Sequence, residues 1–174
     1  MYDGSSEGTP SIMTPPIAST TRFSGVTAHY CQAADPAQRL ALLHWADGER
    51  QAGLVCADSL HPEQVPGLKD KLAAFDVMGI GCDFKVCGDT SKGCCEFEAI
   101  PDPAFRDLLC GQFREVVQAR QPLLHTIEAQ TPQGTWRYSR LSIPLSRRTA
   151  EVGRLWLVLA GFEAFRDKIA PVAA

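Results

Sequence analysis

Leu155-Trp156-Leu157-Val158-Leu159-Ala160-Gly161-Phe162 decides the fold of this chain. A strand with one wet face alternates apolar and polar residues, and this run does not. Its odd positions (Leu155, Leu157, Leu159) and its even positions (Trp156, Val158, Phe162) are both apolar. That pattern belongs to a strand covered on both faces, in the middle of a sheet. At about 1.5–3 kcal/mol for each large side chain fully buried, the five contiguous residues Leu155–Leu159 alone contribute as much as the net stability of a domain.

Upstream of the run, Arg147–Glu151 reads as a polar turn and Thr135–Ser146 as a strand. Along that strand the apolar parity switches, from Trp136 and Tyr138 to Leu141, Ile143 and Leu145, which predicts a bulge or bend near Ser139-Arg140. Pro144 then sits where no ladder donor is needed. Pro132-Gln133-Gly134 is a turn, and Leu123–Thr131 alternates as a further strand. Before it, Asp102-Pro103 is a cap followed by proline at the first helical position. Phe105, Leu108, Leu109, Phe113, Val116 and Val117 keep helical spacing from there until Pro122. Residues 88–101 are broken by Gly88, Gly93 and Pro101 and can hold only short turns or a single helical turn. Phe75–Ile80 and Asp83–Cys87, joined at Gly81-Cys82-Asp83, predict a hairpin. Val65, Leu68, Leu72 and Phe75 predict a helix over 64–74, with Pro66 in its first turn. Asp35-Pro36 repeats the cap signature for a helix to about Asp47, stopped by Gly48. Its apolar surface, with Leu40, Leu43 and Trp45, is wide enough for two partners, a sheet and a second subunit.

Composition narrows the function. The 174 residues carry a net charge of -3, with 45% hydrophobic and 21% charged residues, which suits one domain with tails. No basic footprint supports nucleic-acid binding. No apolar run approaches the ~20 residues of a membrane span, and no basic-then-apolar start suggests secretion. The expectation is a cytoplasmic protein. Its seven cysteines, at 31, 56, 82, 87, 94, 95 and 110, are then expected to be mostly free thiols. G-x-S-x-G, H-E-x-x-H, the phosphate-binding G-x-x-x-x-G-K-S/T and a G-x-G-x-x-G after a strand are absent, so the sequence gives no reason to expect an enzyme.

The order of helix, helix, two strands, short turns, long helix and three strands resembles a PAS domain. The chain is similar to small stand-alone bacterial PAS-like proteins in Asp83-Phe84-Lys85-Val86-Cys87-Gly88, in Phe113-Arg114-Glu115-Val116-Val117 with Arg120-Gln121-Pro122, and in Tyr138–Ser146. The resemblance covers roughly residues 40–162, and Cys94-Cys95 departs from it. It implies an α+β fold: a five-stranded antiparallel sheet with helices on one face and an N-terminal helix, the last strand lying beside the first and the fourth. Residues 1–22, rich in Ser, Thr, Pro and Gly and poor in large apolar groups, predict a disordered tail; a PAS-like domain over 23–165 and a C-terminal tail over 166–174 follow. The resemblance also implies a sensory or regulatory module in signal transduction. Such a module acts by binding a small molecule between sheet and long helix, by binding a protein partner, or by forming a homodimer.

The residues then nominate sites. Phe84, Val86, Phe113, Val117, His125, Ile127, Trp136 and Tyr138 are the expected lining of a ligand pocket. Leu40, Leu43, Trp45, Trp156 and Val158 are the expected interface. His125 shares a strand face with Leu123 and Ile127 and so points inward, where it could bond a ligand or haem iron; a core histidine satisfied by a neighbour is the plainer alternative. Cys82, Cys87, Cys94 and Cys95 fall within 14 positions, yet lack C-x-x-C spacing, so no metal site is assigned. Lys92 beside Cys94-Cys95 would favour thiolate there, the basis of a redox switch. No cofactor is specified. A haem-, flavin- or metal-binding redox sensor and a small α+β enzyme stand as alternatives to the PAS-type reading.

Overall fold

The structure, a computed structural model, describes residues 21–78, 85–88 and 102–169; for residues 78, 85–88 and 166–169 it describes the backbone alone. Along the chain lie strand β1 (Arg22–His29), helix α1 (Pro36–Ala46), short strands β2 (Arg50–Gln51) and β3 (Leu54–Cys56), and strands β4 (Leu72–Met78) and β5 (Lys85–Gly88). Helix α2 (Pro103–Ala119), strands β6 (Leu123–Thr131), β7 (Gly134–Ser146) and β8 (Val152–Ala160), and helix α3 (Phe162–Ile169) follow. The protein is α+β.

Leu155–Ala160 of the opening run lie in β8, inside the sheet and antiparallel to β7 on one side and to β4 on the other, whereas Phe162 opens α3. The strand order is β1-β6-β7-β8-β4-β5, with β3 pairing in parallel with the end of β7 and β2 with β3. Both faces of β8 are covered, as its doubly apolar pattern requires. Leu155 and Leu157 join the core under α2 and α3, with Phe105, Leu109, Phe113, Val116 and Phe165. Trp156 and Val158 join a second core under α1, with Ala41, Leu68, Leu141 and Ile143. The sheet therefore carries helices on both faces. Its main path has one strand more than the five that the resemblance implies, because β1 adds to the β6 edge.

The helices begin where their sequences demand. Asp35 is the N-cap of α1, its carboxylate accepting from the N–H groups of Ala37 and Gln38 at 2.9 and 3.1 Å. Asp102 caps α2 through the N–H of Phe105 at 2.9 Å, and proline opens each helix. Arg120 ends α2 in the left-handed region at φ 55°, and its guanidinium donates to the carbonyls of Ala52 and Ala150. Gly48, the expected stop of α1, is also a close approach: a Cβ there would meet Val55 Cγ1 and lie 2.8 Å from Leu60 Cδ2. The hairpin forms as β4 and β5, with Val77 opposite Val86; the residues of its turn lie outside those described.

Three expectations fail. Residues 64–74 form no helix; a 3-10 turn at Pro62–Gln64 gives way to turns, and β4 begins at Leu72. Gly67 sits at φ 82°, which no right-handed helix accommodates. The helical spacing of Val65 and Leu68 is that of anchors under a loop, Leu68 being fully buried. No bulge occurs at Ser139-Arg140, where β7 pairs in unbroken register with both neighbours; the irregularity lies at Leu145/Ser146. The apolar parity changes because the sheet's two faces are filled differently along β7. Trp136 and Tyr138 meet α2 and α3, Leu141, Ile143 and Leu145 meet the α1 core, and polar side chains occupy the α2-facing positions between. Lastly, β1 occupies Arg22–His29, where no strand was expected. Phe23 of β1 packs its ring 4.7 Å from that of Phe105, while residues 1–20 lie outside those described. At the other end, Phe165 of α3 is buried against Tyr138.

Candidate functional site

The polar residues of β7 are the way into the site. Strand register aligns Thr27 of β1 with His125 of β6, and His125 with Arg140 of β7. Since side chains alternate between faces, these three form one row across the sheet, on the side covered by α2. Above the row, α2 presents Gln112 and Glu115, three positions apart and so on one helix face. Gln112, His125, Arg140 and Ser142 are all buried, His125 completely so. A layer of polar groups is thus enclosed in what is otherwise a hydrophobic core.

Its hydrogen bonds are specific. Arg140 donates through Nη2 to Gln112 Oε1 at 2.6 Å and through Nε to Ser142 Oγ at 3.4 Å, and its guanidinium lies 4.4 Å over the ring of Phe113. Tyr138 stands two positions before it on the same face of β7. Burial lowers the Arg140 pKa and raises that of Tyr138; the guanidinium nonetheless stays charged at neutral pH, and the phenol stays neutral. Gly25 of β1 makes the room for Gln112, because a Cβ at that position would collide with Gln112 Nε2.

His125 faces Glu115, with Nε2 3.3 Å from Oε2. Burial holds its pKa down at about 4, Arg140 pushes the same way, and the hydrogen bond and charge of Glu115 pull back. The imidazole is therefore neutral near pH 7. Opposite a carboxylate it places its single proton on Nε2, an assignment from the hydrogen-bond pattern. Glu115 Oε2 also accepts from Thr27 Oγ1 at 2.9 Å. His125 Nδ1 is left as a buried acceptor without a hydrogen-bond partner.

Of the expected pocket residues, Phe113, His125, Ile127 and Tyr138 come together in the buried core beneath α2, and Val117 and Trp136 pack at its border. Phe84 lies outside the described residues, and for Val86 only the backbone is described. The expected interface residues separate. Trp156 and Val158 are buried inside the chain by α1 and Leu40 packs against the same core, whereas Leu43 is 66% exposed. Trp45 packs between Tyr30 and Arg50, whose guanidinium stands 4.7 Å over the indole. Cys31, Cys56 and Cys110 are free thiols; Cys94 and Cys95 lie outside the described residues. Among the described residues no three His, Cys, Asp or Glu side chains converge to hold a metal, and no helix is long and apolar enough to cross a membrane.

The sequence reading missed Gln112, Arg140 and Ser142. Gln112 interrupts the stripe of Phe105, Leu109 and Val116 at helical spacing, and Arg140 and Ser142 continue the parity of Trp136 and Tyr138. Polar residues at apolar phase were the available signal.

No family model, curated protein or solved structure matches this chain.

Proposed function

We propose that this chain is a PAS-type sensory or regulatory module that binds a small molecule between α2 and the sheet and passes the signal through a protein contact. The observation that carries this reading is the polar layer of His125, Arg140, Gln112 and Ser142, buried where such a module holds its ligand. The strand order supports it: counted from β4, the last strand lies beside the first and the fourth. The contact surface in this reading is the outer side of α1, where Leu43 is exposed. α1 rests on β8, and its Gln38 Nε2 donates to Ser139 Oγ and to the carbonyl of Val158, both at 3.1 Å. β7 therefore carries Arg140 toward the ligand side and Ser139 toward α1, so a ligand that moves β7 alters the seat of α1.

The test is native mass spectrometry of the chain after dialysis against a metabolite extract, combined with hydrogen exchange. A retained non-covalent adduct, with changed exchange in both α2 and α1, is the expected result. A chain that retains nothing and does not self-associate at micromolar concentration would remove the basis of the proposal.

A further inference from the structure

Among the described residues the enclosed layer has a charge imbalance. There Arg140 is buried with only neutral neighbours: Gln112, Ser142, Tyr138 and the face of Phe113. Among the described residues no Asp or Glu forms an ion pair with it; the acid at the edge of the layer, Glu115, is half exposed and held by Thr27 and His125. A buried cation without a counter-charge is costly, and the cost falls when an anion enters. A guanidinium also suits a carboxylate better than a lone oxygen atom, since its fork matches two oxygens.

The second half of the site is the orphan acceptor, Nδ1 of the fully buried His125. A ligand that satisfies it must bring a hydrogen-bond donor. His125 and Arg140 are direct cross-strand partners, so their Cβ atoms stand about 4.5–5.5 Å apart. A small molecule with a carboxylate and a donor on the adjacent carbon suits two side chains that start from neighbouring positions on one face. The donor should be neutral, because an ammonium would lie beside the Arg140 charge. A hydroxyl meets that requirement.

We propose that Arg140 and His125 form a site for a small 2-hydroxycarboxylate, with the carboxylate on the guanidinium and the hydroxyl donating to Nδ1. The inference rests on the sensory reading above and names the ligand class of that site.

Thermal unfolding of the full chain at constant ionic strength tests it, with glycolate, lactate, acetate and lactamide as probes. Glycolate or lactate at a hundredfold excess over Kd should raise Tm by about 5–10 °C. Acetate, lacking the hydroxyl, should give a smaller rise, and lactamide, lacking the charge, none. Arg140→Met should abolish the lactate shift, while Arg137→Met, an exposed arginine paired with Glu128, should keep it. Should Arg140→Met not fold, the wild-type contrast between lactate and lactamide decides alone. Equal shifts with lactate and lactamide overturn the anion site and leave the sensory reading standing, as does a wild-type chain that ignores every carboxylate yet retains another adduct in native mass spectrometry. Indifference to all probes with no adduct overturns both.

Discussion

Acidification should destabilise this fold through one imidazole. His125 has its pKa held at about 4 against an ordinary 6.5. Above pH 6.5 it is neutral in the folded and the unfolded chain, and its contribution is fully present. As pH falls from 6.5 toward 4 the unfolded chain takes up a proton that the folded one refuses, so stability drops; below 4 both forms are protonated and the contribution is gone. The whole loss is about 3 kcal/mol, a large share of the ~5–15 kcal/mol by which domains are stable. The assay is urea unfolding followed by tryptophan fluorescence, from about pH 7.5 to about pH 4, on wild type and His125→Gln. The quantity of interest is the pH slope of the difference between them, since other carboxyl groups titrate in both proteins. Wild type should lose about 3 kcal/mol more than the variant across the window. Glu115→Gln should steepen the wild-type loss, because its carboxylate is the group that raises the His125 pKa. Parallel profiles for wild type and His125→Gln would show that the imidazole is not buried neutral, and the reasoning would fail.

Other substitutions probe the layers around the site. Gln38→Ala should cost about 1–3 kcal/mol in denaturant unfolding, because it leaves the Val158 carbonyl buried without its donor. Val158→Asp should cost more than about 4 kcal/mol and leave no cooperative melt, since it places an unpaired charge in the core beneath α1. Leu43→Asp, on the exposed side of the same helix, should stay within about 0.5 kcal/mol of wild type, and in sedimentation it should weaken any self-association that runs through α1. Phe165→Ala should cost about 3–5 kcal/mol, measured by urea unfolding; a value near zero would make α3 dispensable.

The architecture was legible wherever apolar residues fill the sheet and where caps are spelled out. Leu155–Ala160 announced an interior strand because both parities were apolar, and Asp35-Pro36 and Asp102-Pro103 located the starts of α1 and α2 to the residue. What failed did so for identifiable reasons. Residues 64–74 carried helical spacing, but Gly67 takes a left-handed conformation and the apolar side chains anchor turns instead. β1 was invisible because Ser24-Gly25-Val26-Thr27-Ala28 is a run of small residues at a sheet edge, with Gly25 small to admit Gln112. Trp156 and Val158 suggested an open interface only because the reach of α1 across the sheet could not be read from its own sequence; the same chain covers them.

The site itself was half legible, and the illegible half is the informative one. His125 was placed inward by its strand phase, correctly. Arg140 and Ser142 occupy that same inward side of β7, yet polar character made them look like the sign of a bend. A buried guanidinium whose partners among the described residues are all neutral is poor material for stability: apolar side chains of similar volume in place of buried charges are often neutral or stabilising. Gln112 cannot compensate it, since an amide offers a dipole and not a charge. Removing Arg140 alone should therefore cost less than removing one member of a buried ion pair, typically about 3–5 kcal/mol. Arg140→Met, measured by urea unfolding without added carboxylate, is expected to fall below that range or to stabilise the fold. A loss within or above the range would mean that a counter-charge already sits in the folded chain, and the imbalance from which a ligand site follows would not exist.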